Sequence, residues 1–401
     1  MPRCWGVAAL ACCVLVGGCS DAGLEFADWS RITPGADTPV FEYAAVGTEA
    51  REGAVVEVVE DLVIGDDASD PEQVFYGASG VAVDADGSIY VLDRGAHRVQ
   101  VFDAEGTYLR TLGQEGQGPG EFASPSNLTI ASGHVILKAA SRRLSVWSLA
   151  GEHVRDVQLT RLYSSFAGSD AGFVASYRVR PPPSEDMQDL ETPYFASLFD
   201  AFGDEQSVFA ELVEPPMTTI DLGGGGFLTM SGGMISDFSP RFVVSPRGRV
   251  HLTTSTEYQI HTLGADPWSL RVAWERQAVT AGDVDATMSR MDSPLFDELD
   301  ESAFSWPDRF SAISAIEVDG HGHLFVFPFF APLNAPIGPD EERPEIARPV
   351  DVYSASGEHL FSGLMDVWSW SAYLGDFVYT TRTNPLTEEV EVVRYRLVEP
   401  F

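Results

Sequence analysis

Short runs of alternating apolar and polar residues, separated by turns rich in Asp and Gly, recur along most of the chain. In the first copy, Val81–Asp84 is followed by a turn at Gly87 and by Ile89–Leu92, and Val99–Asp103 is followed by a turn at Gly106. Alternation with a period of two is typical of strands that bury one face, and tight Asp-Gly turns join antiparallel neighbours. Each copy therefore predicts a four-stranded antiparallel meander.

The pattern occurs six times, with a weaker third copy and a sixth copy that supplies only three strands, between Trp370 and Leu397. An apolar segment, Val55–Ile64, precedes the first copy and has no partner of its own. If this segment pairs beside the last strand, the ring closes and no sheet edge is left open there. The sequence thus predicts an all-β fold, a six-bladed β-propeller of four-stranded antiparallel blades over 53–401, closed by an N-terminal strand.

Three stretches of the first copy resemble a known repeat family. Val83–Asp93 and Arg98–Gly106 resemble an NHL repeat, and the connector Gly113–Phe122, followed by Pro125, is similar to that family as well. The resemblance is specific in the first copy, fair in the second and fifth, and faint elsewhere. It implies a six-bladed β-propeller of a kind often secreted or lipid-anchored in bacteria. Because the family is functionally mixed, the resemblance implies no particular activity.

The N-terminal residues predict export and lipid anchoring. An apolar stretch, Trp5–Val16, is too short to span a bilayer as a permanent helix. Val16–Ser20 resembles the bacterial lipobox, in which the thiol of Cys19 would be lipidated. We therefore expect a lipoprotein signal peptide at 1–18, a tether at 19–52, and a protein lipid-anchored to a bacterial membrane, periplasmic or on the cell surface. An ordinary secretory signal and an uncleaved anchor are the alternatives.

Charge excludes several classes of partner. The chain has 60 Asp and Glu against 25 Lys and Arg, for a formal net charge of −35. Such a protein repels nucleic acid and acidic lipid surfaces. We expect a monomer that meets the membrane through its lipid anchor only, with a small molecule, a peptide or an envelope protein as its partner.

Loop lengths predict where a ligand would bind. We call the face of the ring at which the innermost strands begin face one, and the opposite face, which holds the short glycine turns, face two. Four long insertions are expected on face one, at 179–193, 213–239, 277–311 and 331–348. Long loops in compact domains are often functional, so the binding mouth is expected there. The third insertion predicts a short helix capped by Thr280.

Residues that open the innermost strands should line the central channel on face one. These are Asn127, Tyr163, Arg241 and Trp370. Arg241 would there bind a carboxylate ligand or pair with a neighbouring Asp, and Trp306 would pack over the mouth or join the core. The insertions are modestly acidic, which favours a cationic ligand or bound Ca²⁺ over an anion, but solvated acidic loops explain the same excess. The main expectation is therefore no cofactor, with Ca²⁺ as the alternative.

Catalysis has little support in the sequence. All four cysteines lie within the first 19 residues, so the rest of the chain has no thiolate nucleophile and no Cys-ligated metal. Lactonase-type propellers hold a divalent metal with Glu, Asn and Asp, and here only Asn127 of three asparagines opens an innermost strand. Gly320–His323 resembles a metal-binding tract but is expected in an exposed turn. We interpret the protein as a binding or scaffold module with no assigned catalytic residue; a Ca²⁺-dependent lactonase or hydrolase is the alternative.

Overall fold

In the computed structural model, six antiparallel sheets surround a central channel, so the predicted six-bladed β-propeller is confirmed. The structure describes residues 38–47, 51, 53–66, 69–178, 192–214, 218–221, 227–230, 240–264, 266–290, 304, 306–331, 347–367, 369–384 and 386–398. Cys19 and the expected signal peptide lie outside these ranges. Within them, no helix is long and apolar enough to cross a membrane.

Two strands precede the first blade, and the first three blades are formed by consecutive strands. The two leading strands are β1 (Val40–Ala44) and β2 (Glu57–Ile64). Blade 1 consists of β3 (Ala78–Val83), β4 (Ile89–Asp93), β5 (Arg98–Phe102) and β6 (Tyr108–Leu112). Blade 2 consists of β7 (Ser126–Ala131), β8 (His134–Ala140), β9 (Arg143–Ser148) and β10 (His153–Gln158). Blade 3 consists of β11 (Tyr163–Ser169), β12 (Gly172–Arg178), β13 (Thr192–Phe199) and β14 (Glu205–Glu214).

A separate hairpin lies between the third and fourth blades, and a helix lies between the fourth and fifth. The hairpin consists of β15 (Thr218–Asp221) and β16 (Phe227–Met230). Blade 4 consists of β17 (Arg241–Val244), β18 (Val250–Thr253), β19 (Gln259–Leu263) and β20 (Trp268–Ala273), and is followed by α1 (Ala281–Ser289). Blade 5 consists of β21 (Ile313–Val318), β22 (Leu324–Pro328), β23 (Arg348–Tyr353) and β24 (His359–Met365). Blade 6 contains β25 (Ala372–Leu374), β26 (Phe377–Thr383) and β27 (Val390–Val398).

The Asp-Gly turns on face two are built by side-chain hydrogen bonds. The Oδ1 atom of Asp84 accepts hydrogen bonds from the backbone N–H groups of Asp86 (3.0 Å) and Ser88 (2.9 Å). Gly87 takes a φ of 88°, which a residue with a side chain rarely adopts. The same side-chain arrangement recurs at Asp103, Asp200 and Asp319. The recurring Asp in the sequence therefore sets the first or third turn of a blade.

The ring closes as the sequence predicts. Strand β2 pairs antiparallel with β27, from Glu57 opposite Val398 to Ile64 opposite Val392, and forms the outermost strand of blade 6. A strand that precedes the first blade thus completes the last one, so the closing blade has four strands like the others.

The segment before β2 also belongs to the propeller. Strand β1 adds to the outer edge of blade 4, parallel to β20, with Val40 opposite Ser269. The chain then contacts blade 5, where the backbone N–H of Val56 donates to the carbonyl of Leu364 (2.9 Å), before β2 joins blade 6. We call the described residues from 40 to 64 the N-terminal belt. Part of the range expected to be a tether, 19–52, therefore lies against the blades.

Arg51 anchors the belt by a fully buried ion pair. Its Nη2 atom lies 2.7 Å from Oδ1 of Asp351, and both side chains are almost completely buried. Its Nη1 donates to the carbonyl of Val350 (2.7 Å), and the hydroxyl of Tyr258 donates to Oδ2 of Asp351 (2.6 Å). Tyr258 belongs to the region of blade 4 and Asp351 to blade 5, so the cluster joins the belt to two blades.

The hydrophobic core lies between neighbouring blades. Tyr90 and Leu92 of blade 1, for example, pack in one cluster with Val135 and Leu137 of blade 2. The faces of each sheet are therefore buried against the neighbouring blades. The space at the centre of the ring is lined mainly by the innermost strands.

The strand order places the ends of all four long insertions at face one, where the loop lengths predict them. Much of their sequence lies outside the described residues. In the third insertion, α1 begins as predicted, with Thr280 as its cap. The backbone N–H of Asp283 donates to Oγ1 of Thr280 (3.3 Å), and the N–H of Thr280 donates to Oδ2 of Asp283 (2.8 Å), which completes a capping box.

Candidate functional site

The central channel is a cavity of about 830 Å³. Its lining comes from all six innermost strands, β3, β7, β11, β17, β21 and β25, and from residues at their ends. It extends from Pro240 and Ser369, which precede their strands on face one, to Ala85, Gly133 and Pro246 in the turns of face two. A cavity of this size is within the range of small-molecule sites.

Four innermost strands carry a β-bulge near face one. In blades 1, 2, 3 and 5 the pairing of the first two strands shifts register at one residue. The residues left out of the pairing are Ser79, Asn127, Ser164 and Ser314. A bulge redirects the chain and interrupts the ladder, and bulges are common beside binding sites. The repeat therefore places small polar residues at the same level of the ring in four blades.

Asn127 is the most unusual of these bulged residues. It lines the channel and has a φ of 53°, in the left-handed region that Asn adopts more readily than most residues. Ser79 lines the channel at the equivalent place in blade 1. Uncommon backbone conformations that persist next to a cavity are often connected with function.

Arg241 and Glu317 give the channel its charge. Arg241 opens β17 and Glu317 lies one residue before the end of β21, in the neighbouring blade. Arg241 is open to the channel and yet surrounded by protein, and this desolvation lowers the pKa of its guanidinium, while the Glu317 charge raises it. Burial likewise raises the pKa of Glu317 to about 8, against the opposing effect of its hydrogen bonds and of Arg241. At neutral pH the Glu317 carboxyl is therefore mostly protonated.

Glu317 is also held in place by its neighbours. The hydroxyl of Ser369 donates to its Oε1 atom (3.2 Å), and the backbone N–H of Trp370 donates to the carboxyl as well. Both donors come from the connector that leads into blade 6. The carboxyl is thus fixed between two blades at the wall of the channel.

Local hydrogen bonds hold the residues at the face-two end of the channel. The hydroxyl of Tyr373 donates to the carbonyl of Val244 (2.7 Å), and burial raises the pKa of Tyr373, with the charges of Asp319 and Asp170 acting in the same direction. The Asp84 carboxylate already accepts hydrogen bonds from its own turn and from the hydroxyl of Tyr90 (3.1 Å). The polar groups at this end therefore serve mainly to hold the turns.

Three of the residues predicted to line the channel do so. Asn127, Arg241 and Trp370 all contribute to the wall. Trp370 is 6% exposed, its Nε1 donates to the carbonyl of Val318 (2.8 Å), and its ring packs edge-on against Phe325 (5.3 Å). It is therefore a fixed wall residue, whereas Arg241 is open to a ligand. The binding roles of all three stay predictions.

Tyr163 and Trp306 lie elsewhere. Tyr163 opens β11, but it is 5% exposed and its ring packs against Phe199 (4.9 Å) in the core between blades 2 and 3. Trp306 packs in a small cluster with Phe310 and Phe329, away from the channel lining. The sequence left two positions open for Trp306, over the mouth or in the core, and the structure shows it packed in a core cluster.

Sequence reasoning missed Glu317. Its neighbours in β21 are mostly apolar and buried, so a charged residue interrupts an otherwise apolar innermost strand. An acid at that place is costly unless it lines water or pairs with a charge. A charged residue within an apolar innermost strand was therefore the signal in the sequence. Glu317 is not the first residue of its strand, so the prediction from strand starts did not include it.

The described ranges contain no cluster of side chains suited to bind a metal ion. Among these residues, no set of three or more His, Cys, Asp or Glu side chains is arranged to hold a metal ion. In the turn Gly320–His323, Nε2 of His321 lies 2.6 Å from Asp376, and Nδ1 of His323 lies 2.9 Å from Asp319. The two histidines are thus paired with different carboxylates.

Comparison with known proteins supports the fold. A family model described as a six-bladed β-propeller matches residues 78–186. The brain tumor protein of Drosophila melanogaster is 30% identical over 95 residues, which is 23% of this chain, and the chain spans only 9% of that protein.

Two solved structures are similar to this chain over most of its length. A member of the DUF4221 family from Bacteroides vulgatus has a TM-score of 0.51 at 13% identity, covering 86% of this chain and 98% of that one. Virginiamycin B lyase from Staphylococcus aureus has a TM-score of 0.38 at 11% identity, covering 85% and 99%. At such identities a likeness concerns the fold alone, and the fold is a six-bladed β-propeller.

Proposed function

We propose that this protein is an extracytoplasmic binding module of the NHL-like type, lipid-anchored through Cys19, which takes a small molecule into its central channel from face one. It acts as a monomer and performs no chemistry on its ligand. The long insertions begin and end at face one, and the six blades surround the channel.

The observation that carries this proposal is the polar composition of the channel wall. Arg241 and Glu317 both line the cavity, and the surrounding protein shifts the pKa of each. A purely structural channel would be less costly with apolar residues at those positions. The bulged residues Ser79 and Asn127 add hydrogen-bonding groups to the same cavity. Perturbed ionisable groups that line a cavity of ligand size are typical of binding sites.

A thermal-shift screen of the full-length protein in detergent tests the binding role. A compound that binds only the native state raises the melting temperature with its concentration. The screen contains organic acids, amines, sugars, short peptides, and CaCl₂ with and without EDTA. A rise with CaCl₂ that EDTA reverses would favour the Ca²⁺-dependent hydrolase alternative, and no rise with any compound would contradict the binding proposal.

The anchoring part of the proposal is tested by Cys19→Ala. We expect this variant to lose incorporation of labelled fatty acid and to leave the membrane fraction, because the thiol is the acyl acceptor. Cys13→Ala, within the expected signal peptide, is the matched control and should be labelled like the unchanged protein. Equal labelling of both variants would contradict lipidation at Cys19.

A further inference from the structure

The charges of the channel wall restrict the ligand that it would bind. In the part of the chain that the structure describes, Arg241 is the one Lys or Arg in the channel lining. The acidic residues in the lining are Asp84, Asp170 and Glu317. A cavity with a single guanidinium can balance a single negative charge, whereas a phosphate dianion would meet too little positive charge in a protein of net charge −35.

The three acids leave the Arg241 charge largely uncompensated. Asp84 accepts hydrogen bonds from its own turn and from Tyr90, and Asp170 follows the last residue of β11 at the rim of face two. Among the described residues, Glu317 is the one acid whose charge acts on Arg241, and its carboxyl is mostly neutral at pH 7. A guanidinium that faces the channel, with no ionised partner among the described residues, favours an anion in the adjoining space.

Glu317 is arranged to donate a hydrogen bond. Its carboxyl already accepts hydrogen bonds from the hydroxyl of Ser369 and from the backbone N–H of Trp370. Both donors belong to the connector into blade 6, so the acceptor positions on that side of the carboxyl are occupied. The proton of the neutral carboxyl is then available to a group in the channel. A carboxylate oxygen beside Arg241 is an acceptor for such a donor.

The rest of the wall is suited to an apolar body. Leu128, Phe166 and Phe242 contribute to the lining, together with Trp370. Apolar and aromatic walls with a few polar groups are the usual composition of small-molecule sites, and the polar groups fix the orientation of the ligand.

We infer that the channel ligand is a small monocarboxylic acid with an apolar or aromatic body, whose carboxylate pairs with Arg241 and accepts a hydrogen bond from the carboxyl group of Glu317. This inference rests on the proposed function and specifies its ligand. The acidic insertions, which favour a cationic ligand by charge alone, lie mostly outside the described residues.

The direction of proton exchange on binding follows from this arrangement. An anion beside Glu317 stabilises the protonated carboxyl, so a carboxylate that binds at pH 8 draws protons from the solvent. A cationic ligand would instead pair with the ionised carboxylate and release protons. The sign of the proton exchange therefore distinguishes the two classes of ligand in the unmodified protein.

Isothermal titration calorimetry of the full-length protein at pH 8, in two buffers of different ionisation enthalpy, measures this exchange. The probes are phenylacetate, its neutral amide and phenethylamine. We expect phenylacetate to bind with proton uptake and the other two to bind at least about tenfold more weakly. Proton release on binding, or tighter binding of phenethylamine, would overturn the inference.

Two variants identify the residues. Arg241→Gln should weaken phenylacetate binding by about ten- to a hundredfold, the usual effect of losing a hydrogen bond to a charged group. Glu317→Gln should retain binding, because the amide still donates a hydrogen bond, but should bind phenylacetate without proton uptake. Arg247→Gln, an equal loss of charge in a face-two turn, is the control, and an equal loss of affinity in that variant would overturn the assignment to Arg241.

Failure of this inference is distinct from failure of the proposed function. If sugars, peptides or amines raise the melting temperature and carboxylic acids do not, the binding module stands and the carboxylate assignment is wrong. If no compound raises it, both are contradicted. Should Arg241→Gln fail to fold, the proton exchange of the unmodified protein alone decides the inference.

Discussion

The propeller has one half whose outer edges are covered and one half whose outer edges are bare. In blades 4, 5 and 6 the N-terminal belt lies along β20, contacts β24 and pairs with β27. In the described parts of blades 1, 2 and 3, the outermost strands β6, β10 and β14 pair on one side only. Blades of the same architecture therefore differ in whether another segment of the chain covers their outermost strand.

The outer edges of the bare half are irregular. Each outer pair of strands there has a register shift, between β5 and β6, β9 and β10, and β13 and β14, and two outer pairs of the covered half, β23–β24 and β2–β27, have one as well. Bulged edge strands are poor templates for pairing with another chain. The comparison teaches that an open edge can be managed by a covering strand or by a bulge, and that the belt additionally ties three blades to each other.

The largest expected effect is at the anchor of the belt. Arg51→Ala leaves Asp351 buried without its charged partner, and we expect a loss of about 3–5 kcal/mol in the free energy of unfolding. Arg161→Ala in the bare half, which removes a more exposed pair with Glu205, should cost at most about 1 kcal/mol. Urea denaturation measures both, and equal losses would contradict the role of the buried pair.

Acid should weaken the covered half through a buried histidine. His251 of blade 4 packs against Trp268, whose ring also contacts Phe41 of the belt. Burial, together with the nearby charge of Arg249, lowers the pKa of His251 from 6.5 to about 3. The unfolded chain then binds more protons than the native one between these values, so stability falls as pH drops below about 6.5.

The size of this acid effect follows from the pKa difference. At pH 4, His251 alone should reduce the free energy of unfolding by about 3 kcal/mol relative to pH 7. His251→Gln, which does not titrate, should show a correspondingly smaller difference between pH 7 and pH 4. Denaturation curves at the two pH values test this, and an unchanged difference in the variant would assign the acid sensitivity elsewhere.

The smallest expected effect is a difference in local opening between the two halves, measured by hydrogen exchange. Backbone amides of β20 lie between β1 and β19, whereas those of β10 pair on one side only in the described residues. We expect hydrogen exchange to be slower in β20 than in β10. In Arg51→Ala, exchange should accelerate most in β1 and β2 and less in β6 and β10. Uniform acceleration around the ring would contradict a local role of the belt.

Much of the fold was predictable because its signals are local. An Asp that caps its own turn, as at Asp84, and a glycine with positive φ, as at Gly87, act within five residues of sequence. Ring closure by β2 followed from counting strands, because an unpaired apolar strand and a blade with three strands complete each other. The β1 strand was harder to predict, since its partner β20 is distant in sequence and parallel to it.

The site was less predictable because a bulge changes which residue faces the channel. Asn127 is the bulged residue of β7, and its equivalent in β11 is Ser164, not Tyr163. Since side chains alternate with a period of two, a displacement by one residue turns a side chain to the opposite face. Tyr163, although it opens its strand, is therefore directed into the core between two blades.

The sequence by itself determined the blades, their turns, the closing strand and the face that carries the long insertions. Each of these depends on spacing along the chain, which hydrophobic alternation and turn chemistry express directly. The tertiary structure decided which edges are covered, where Tyr163 and Trp306 pack, and that Arg241 and Glu317 share one channel. These features depend on groups far apart in sequence, whose burial and mutual electrostatic effects exist only when the ring has closed.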